Sequence, residues 1–203
     1  MSEIQILRNK LERFKGQREQ IKLTLSKLKT DLIDSKRSLR RHEEAREIIR
    51  TVGIATQNQI SFHISDITSL ALEAVFDDPY KLEVEFVQRR NKTECDLYFV
   101  RDGERIDPLS ASGGGAVDVA AFALRIASWS MARPRTRNVI ILDEPLRFLS
   151  ADMQERASIM IKELSEKLGL QFIIVTHEPI LANYADKVFE VSIKNGKSKV
   201  EVI

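Results

Sequence analysis

From Ile4 the chain sets an apolar residue alternately three and four positions on: Ile4, Leu7, Leu11, Phe14, Ile21, Leu25, Leu28, Leu32 and Leu39. Arg18 and Ser35 fill the two other places of the series. Most residues between them are Lys, Arg, Glu, Gln, Ser or Thr. A 3.5-residue spacing held for about five heptads is the pattern of a coiled-coil seam. A helix of about 45–50 residues spans roughly 70–75 Å. No proline interrupts it, and Gly16 costs only ~1 kcal/mol against Ala. The chain holds no second heptad run to fold back on this one. The seam therefore calls for another copy or a different protein. The alternative is a long amphipathic helix lying on its own globular domain. Arg18 at a seam position is either a register device or a local break.

Charge divides the chain at the same place. Residues 1–50 contain 14 Lys+Arg and 8 Asp+Glu, while the rest has 18 against 22. A basic extension on a mildly acidic domain permits nucleic-acid contact, although a solvated helix face reads much the same. The single Cys95 excludes an internal disulfide and a cysteine zinc cage, and suits a reducing cytosol. No apolar run approaches the ~18 residues of a membrane span, and the charged N-terminus is unlike a secretory signal.

Residues 51–108 read as a connecting region. Gly53 weakens the first helix near its end. A second helical stretch places Ile60, Ile64, Ile67, Leu70, Ala71, Ala74 and Val75 at helical spacing, and Asp77-Asp78-Pro79 stops it. Residues 80–87 and 94–100 alternate apolar and polar, as two strands of a hairpin do, with Arg89 to Lys92 as a solvated turn. His42 and His63 stand on helices without a paired ligand, and Cys95 is expected to be a small packing residue on its strand.

The chemistry lies further on. Ser112-Gly113-Gly114-Gly115 precedes a helical run from Ala116 to Ala127. Small residues let backbone approach a ligand, and the helix behind them offers free N–H groups and a positive dipole end to an anion. Ser112 is placed to cap that helix and to donate to phosphate oxygens. Asn138 to Leu142 reads as a buried parallel strand ending in Asp143-Glu144. Ligands bind at such strand ends in open α/β sheets. There Asp can hold Mg²⁺ through water and Glu can orient or deprotonate a water. Residues 171–177 form a second buried strand that ends in His177. Each feature alone is common: a flexible turn, two chance acids, a satisfied histidine.

Taken in order, glycine loop, helix, strand-Asp-Glu, helix and strand-His resemble the C-terminal lobe of an ABC-superfamily ATPase over about residues 109–180. With the preceding coiled coil and hairpin, the chain resembles the C-terminal half of an SMC, SbcC or Rad-fifty-type ATPase. The Gly-Gly-Gly-x-x-Asp and Asp-Glu-Pro-x-x-Phe-Leu-Ser forms look like a phage-type subgroup of DNA-repair ATPases. The resemblance implies that Ser112, Gly113 and Gly114 belong to the signature loop, which contacts the nucleotide of an opposite head. It implies Asp143 as the Walker B magnesium carboxylate, Glu144 as the catalytic glutamate, Ser150 as part of the D-loop and His177 as the switch histidine. Two positions depart from the family pattern. Gly115 stands where Gln or Glu is usual, and Ser150 where Asp is usual. No G-x-x-x-x-G-K-[ST] loop occurs in these residues, so the ATP and Mg²⁺ site is incomplete here.

The expected fold is α/β. Residues 1–50 form the coiled-coil helix, 51–108 the connecting helix and β-hairpin, and 109–203 a C-lobe with a mostly parallel sheet. The expected function is the C-terminal half of a cytoplasmic ATPase for DNA double-strand-break repair or recombination. It is active only when a separate protein, or another region of a longer one, supplies a P-loop lobe with a complementary coiled-coil helix. The implied partners are that lobe, a second head in an ATP-bound head-to-head dimer, a nuclease subunit and DNA, with no membrane. The rival readings are a non-enzymatic protein that binds an ATPase head or coiled coil, and a chromosome-organising SMC-type head.

Overall fold

The computed structural model describes residues 3–90, 92–111, 113–194 and 196–203. Two compact units emerge, Met1–Thr56 and Gln57–Ile203. Helix α1, Glu3–Val75, contributes to both. The weakening expected at Gly53 does not end the helix, and the second helical stretch is its continuation. A Cβ at Gly53 would meet no atom within 4 Å, so the position is open, and the long helix absorbs its propensity cost of about 1 kcal/mol.

In the first unit the described residues leave the helix seam open. All nine apolar seam residues are 52–66% exposed. Its salt bridges, such as Lys15–Glu12 at 2.8 Å and Arg40–Glu44 at 2.9 Å, are exposed pairs within the helix. Such pairs add a few tenths of a kcal/mol each and leave the seam uncovered.

In the second unit α1 becomes a core element. Thr68, Ala71, Leu72 and Val75 are buried at helical spacing. Strands β1 (Lys81–Arg89), β2 (Lys92–Arg101) and β3 (Glu104–Ile106) form an antiparallel sheet in the order β1-β2-β3. The first two are longer than the alternation suggested, because the ladder continues to Arg89↔Lys92 beyond the last buried pair. There Arg89 donates to Asp96 at 2.8 and 2.6 Å and to Glu94 at 3.3 Å, so the turn's first arginine is held by acids. Those acids push the Arg89 pKa up, and the Arg89 guanidinium in turn holds the Asp96 carboxyl below the usual carboxylate range. Cys95 is exposed rather than packed, since it lies on this outer stretch past the core. The short β3, formed by the return after Asp102-Gly103, was not foreseen.

Side chains lock α1 to this sheet. Ser61 Oγ donates to the Val84 carbonyl at 2.6 Å, and Ser69 Oγ accepts from the Leu82 amide at 2.9 Å. Tyr80 stacks on Phe99 at 5.1 Å, with the Arg101 guanidinium 3.6 Å over its ring. Arg156 donates to Asp77 at 2.7 Å and reaches the Val75 carbonyl at 3.4 Å. A cation thus meets the end of α1, where carbonyls lack helical partners.

The rest of the unit alternates helix and strand. After α2 (Pro108–Ala111), α3 (Gly114–Met131) buries Ala116, Val119, Ala120, Phe122, Ala123, Ile126 and Ala127. Strands β4 (Val139–Asp143) and β5 (Gln171–Val175) pair in parallel, joined through α4 (Ala151–Leu168). Helix α4 ends at Gly169, whose φ of 61° suits the left-handed cap position. A short α5 (Pro179–Asn183) leads to an antiparallel hairpin, β6 (Phe189–Lys194) and β7 (Lys197–Val202), which the sequence pattern had not disclosed. Among the described residues, β4–β5 is the only parallel pair, so the α/β class is present with three small sheets rather than one broad one.

The expected burial of β4 and β5 holds on one face only. Leu142 is buried, while Ile140, Phe172 and Ile174 pack against the core. Val139, Ile141, Ile173 and Val175 on the other face are 38%, 71%, 45% and 57% exposed. Parallel pairs are normally covered on both faces. The composition of these strands fits two covers, and this chain supplies one.

Candidate functional site

The site lies at the C-terminal ends of β4 and β5. Asp143 is the last residue of β4, paired with Val175, and its side chain is exposed. The next residue, Glu144, leaves the strand with φ 45° while its amide donates to the Val175 carbonyl at 2.8 Å. Leu146 takes φ 63°. Left-handed backbone costs roughly 1–2 kcal/mol for each non-glycine residue, so this turn persists because its surroundings hold it. Leu146 and Leu149 are buried beneath it, and the Leu149 amide closes on the Leu146 carbonyl at 3.2 Å.

His177 follows β5 and meets Glu144 across the parallel pair, with Nδ1 2.8 Å from Glu144 Oε2. Its Nε2 lies 3.6 Å from Glu178 Oε1. The close contact with Glu144 and the charge of that carboxylate raise the His177 pKa above its ordinary 6.5. With Glu144 ionised, the stability of the pair is present below the ordinary histidine value of 6.5 and is lost as pH rises through the elevated value. An NMR titration should place the His177 midpoint above 6.5, and Glu144→Gln should return it toward that value. An unmoved midpoint in the variant would show that the pair does not form in solution.

The glycine segment sits beside the same turn. Gly113 takes φ 72° and ψ 151°, a conformation close to one reserved for glycine. The N-cap residue Gly113 has no side chain to cap α3, so it leaves the first N–H groups of the helix to other partners. Ser112, expected as the capping hydroxyl, lies outside the described residues. A Cβ on Gly114 would come 3.1 Å from Phe148 Cβ and Cγ. A Cβ on Gly115 would come 2.9 Å from Leu149 Cδ2 and 3.2 Å from the Phe148 carbonyl oxygen. At Gly115 a side chain would therefore press on the turn, and Leu149 would have to shift to admit it.

Ser150 is the N-cap residue of α4, and its hydroxyl donates to Asp152 at 2.6 Å. That hydrogen bond holds the Asp152 carboxyl below the usual range. An acid in the first turn also suits the positive end of a helix. Asp118 of α3 accepts from the Phe148 amide at 3.2 Å, a contact that sequence spacing did not signal. The other histidines lie elsewhere. His42 Nδ1 is 2.7 Å from the Ser38 carbonyl of its own helix, and His63 Nε2 is 3.0 Å from Ser130 Oγ on α3.

The donors fit one side of a magnesium nucleotide. Among the described residues no group of three or more His, Cys, Asp or Glu forms a metal cage. Mg²⁺ bound with a nucleotide needs few protein carboxylates, because phosphates and waters complete its octahedron. Asp143 offers one exposed carboxylate, and the start of α3 offers amides for an anion.

Known proteins extend this picture. No protein-family model matches the chain. A DNA double-strand break repair Rad50 ATPase of Pyrococcus abyssi is 27% identical over 156 residues, 76% of this chain and 17% of that protein. A lipoprotein-releasing system ATP-binding protein LolD of Saccharophagus degradans is 32% identical over 162 residues, 79% of this chain and 63% of that protein. The chain therefore spans less than two thirds of either relative. An Smc head domain with a coiled coil and joint from Pyrococcus yayanosii matches with a TM-score of 0.58 at 21% identity, over 79% of this chain and 30% of that one. An Smc head bound to the C-winged helix domain of ScpA matches with a TM-score of 0.59 at 22% identity, over 76% of this chain and 45% of that one. These two likenesses show the fold. No helix among the described residues is long and apolar enough to cross a membrane.

Proposed function

On the premise that this chain's relatives are ABC-superfamily ATPases of the Rad50 and SMC-head type, matched in their C-terminal portion, we propose that it forms the C-terminal half of an ATP-hydrolysing head. The observation that carries this reading is the uncovered face of the parallel pair β4–β5. Val139, Ile141, Ile173 and Val175 are exposed there, beside the ends that bear Asp143, Glu144 and His177. A P-loop lobe would cover that face and bring the phosphate-cradling loop to the carboxylates. It comes from a second protein or from another region of a longer one.

In the completed head, Asp143 would hold Mg²⁺, directly or through water. Bound there, the ion would offset charge on the phosphates. Glu144 orients and deprotonates the attacking water, and His177 holds the Glu144 carboxylate in place and donates toward the terminal phosphate. The Gly113–Gly114 backbone and Ser150 would meet a second head and its nucleotide, a role the sequence also gives to Ser112. The free seam of residues 4–39 pairs with a complementary helix. The Rad50 relative supports a role in DNA double-strand-break repair, with a nuclease subunit and DNA as partners and the basic residues of 1–50 as one contact to DNA.

Purification from the native host, followed by mass spectrometry, tests this reading. The expected outcome is a protein or contiguous region with a P-loop and a heptad helix. Nucleotide binding should be undetectable for this chain alone and present for the assembly, because the P-loop amides and lysine supply most of the phosphate contacts. A chain that purifies alone, with no such region, would favour the non-enzymatic interaction protein.

A further inference from the structure

We propose that Asp118 is a positioning residue that holds the turn bearing Glu144 against the glycine loop. This rests on the reading of Glu144 as the residue that activates water. Three observations converge on the turn. Its backbone is left-handed at Glu144 and Leu146, so it needs an external hold. Gly114 and Gly115 open α3 with no side chain, and the turn's Phe148 and Leu149 occupy the space that a Cβ would need. One helical turn further along α3, half-buried Asp118 accepts the Phe148 amide at 3.2 Å. A charged acceptor makes a stronger hydrogen bond than a neutral one, and it anchors the point from which the chain runs on to Ser150 and α4.

The consequence is mechanical. The loop at Gly113–Gly115 and the turn at Glu144–Leu149 form a single packed body on α3. When the loop meets the nucleotide of an opposite head, the same body sets Glu144 for the chain's own nucleotide. Asp118 touches no substrate and acts through the Phe148 amide.

Asp118→Asn keeps an acceptor oxygen at the same size, and Asp118→Leu removes it. In the full chain, hydrogen exchange at the Phe148 amide should be about tenfold faster in the Leu variant and between that and wild type in the Asn variant. In the head assembled with its P-loop lobe, kcat should fall about tenfold for Asp118→Leu with KM for ATP unchanged, and Asp118→Asn should restore it. Gly115→Ala presses on the turn from the other side and should give the same split, which covers a Leu variant that does not fold. Equal Phe148 exchange in all three proteins would overturn the contact. A raised KM with kcat retained would overturn the positioning role. A wild-type head without ATPase activity, with the exchange difference intact, would support the contact and overturn the reading of Glu144.

Discussion

Glu144→Gln in the assembled head should lower ATP turnover by about 10²–10⁴-fold while nucleotide stays bound. Gln keeps the size of the side chain and one acceptor oxygen but cannot take a proton from water. The grip on ATP comes from the P-loop lobe and from Asp143, neither of which the substitution touches. Bound and uncleaved ATP should then hold two heads together, and sizing chromatography with ATP should show a persistent dimer. Turnover equal to wild type would remove Glu144 from the reaction. The Gln variant also loses the ion pair at 2.8 Å with His177. His177→Ala is therefore a useful companion: loss of turnover in both variants would point to a unit rather than to one residue.

The second large effect concerns assembly. Ile141 is 71% exposed on the bare face of β4. In this chain alone, Ile141→Glu should change stability by no more than about 0.5 kcal/mol, as an exposed substitution does. Against a P-loop lobe, the same carboxylate would be buried without a partner, at a cost of several kcal/mol. Since each 1.4 kcal/mol is about tenfold in affinity, binding to the lobe should weaken by at least about 10²-fold. Titration calorimetry with the purified lobe measures the loss, and thermal melting of the variant chain supplies the control. Unaltered affinity would mean that the lobe does not seat on β4–β5. The proposed head would then have to be assembled in another way.

Much of this site was legible in order and little in contact. The strand that ends in Asp143 stands where its local pattern suggested, whereas α3 takes in Gly114 and Gly115 and begins two residues before Ala116, and β5 closes at Val175, two residues short of His177. Each is a short-range property: apolar β-formers bounded by acids, or small residues before a helical run. The pairing of Glu144 with His177 was not readable, because it depends on β4 and β5 lying side by side and in register. Nor was the hold of Asp118 on Phe148, which joins residues 30 apart through the packing of α3 on the turn. Gly115 stood out as a departure from a pattern, but the closeness of Leu149 to it was not readable. Cys95 failed as a packing residue because alternation tells which side of a strand a residue occupies, and not how far the core extends along it.

The first helix makes the same distinction. Heptad spacing was enough to establish that residues 4–39 form a helix with an apolar seam, since a 3.5-residue period sets which residues share a face. Only the tertiary structure showed that α1 runs on through Gly53 to Val75 and becomes a core element there, with Leu72 and Val75 fully buried. Periodicity records which face seeks cover, while the neighbour that covers it is chosen by packing across the fold. For β4 and β5 the composition called for cover on two faces, and the structure supplied it on one.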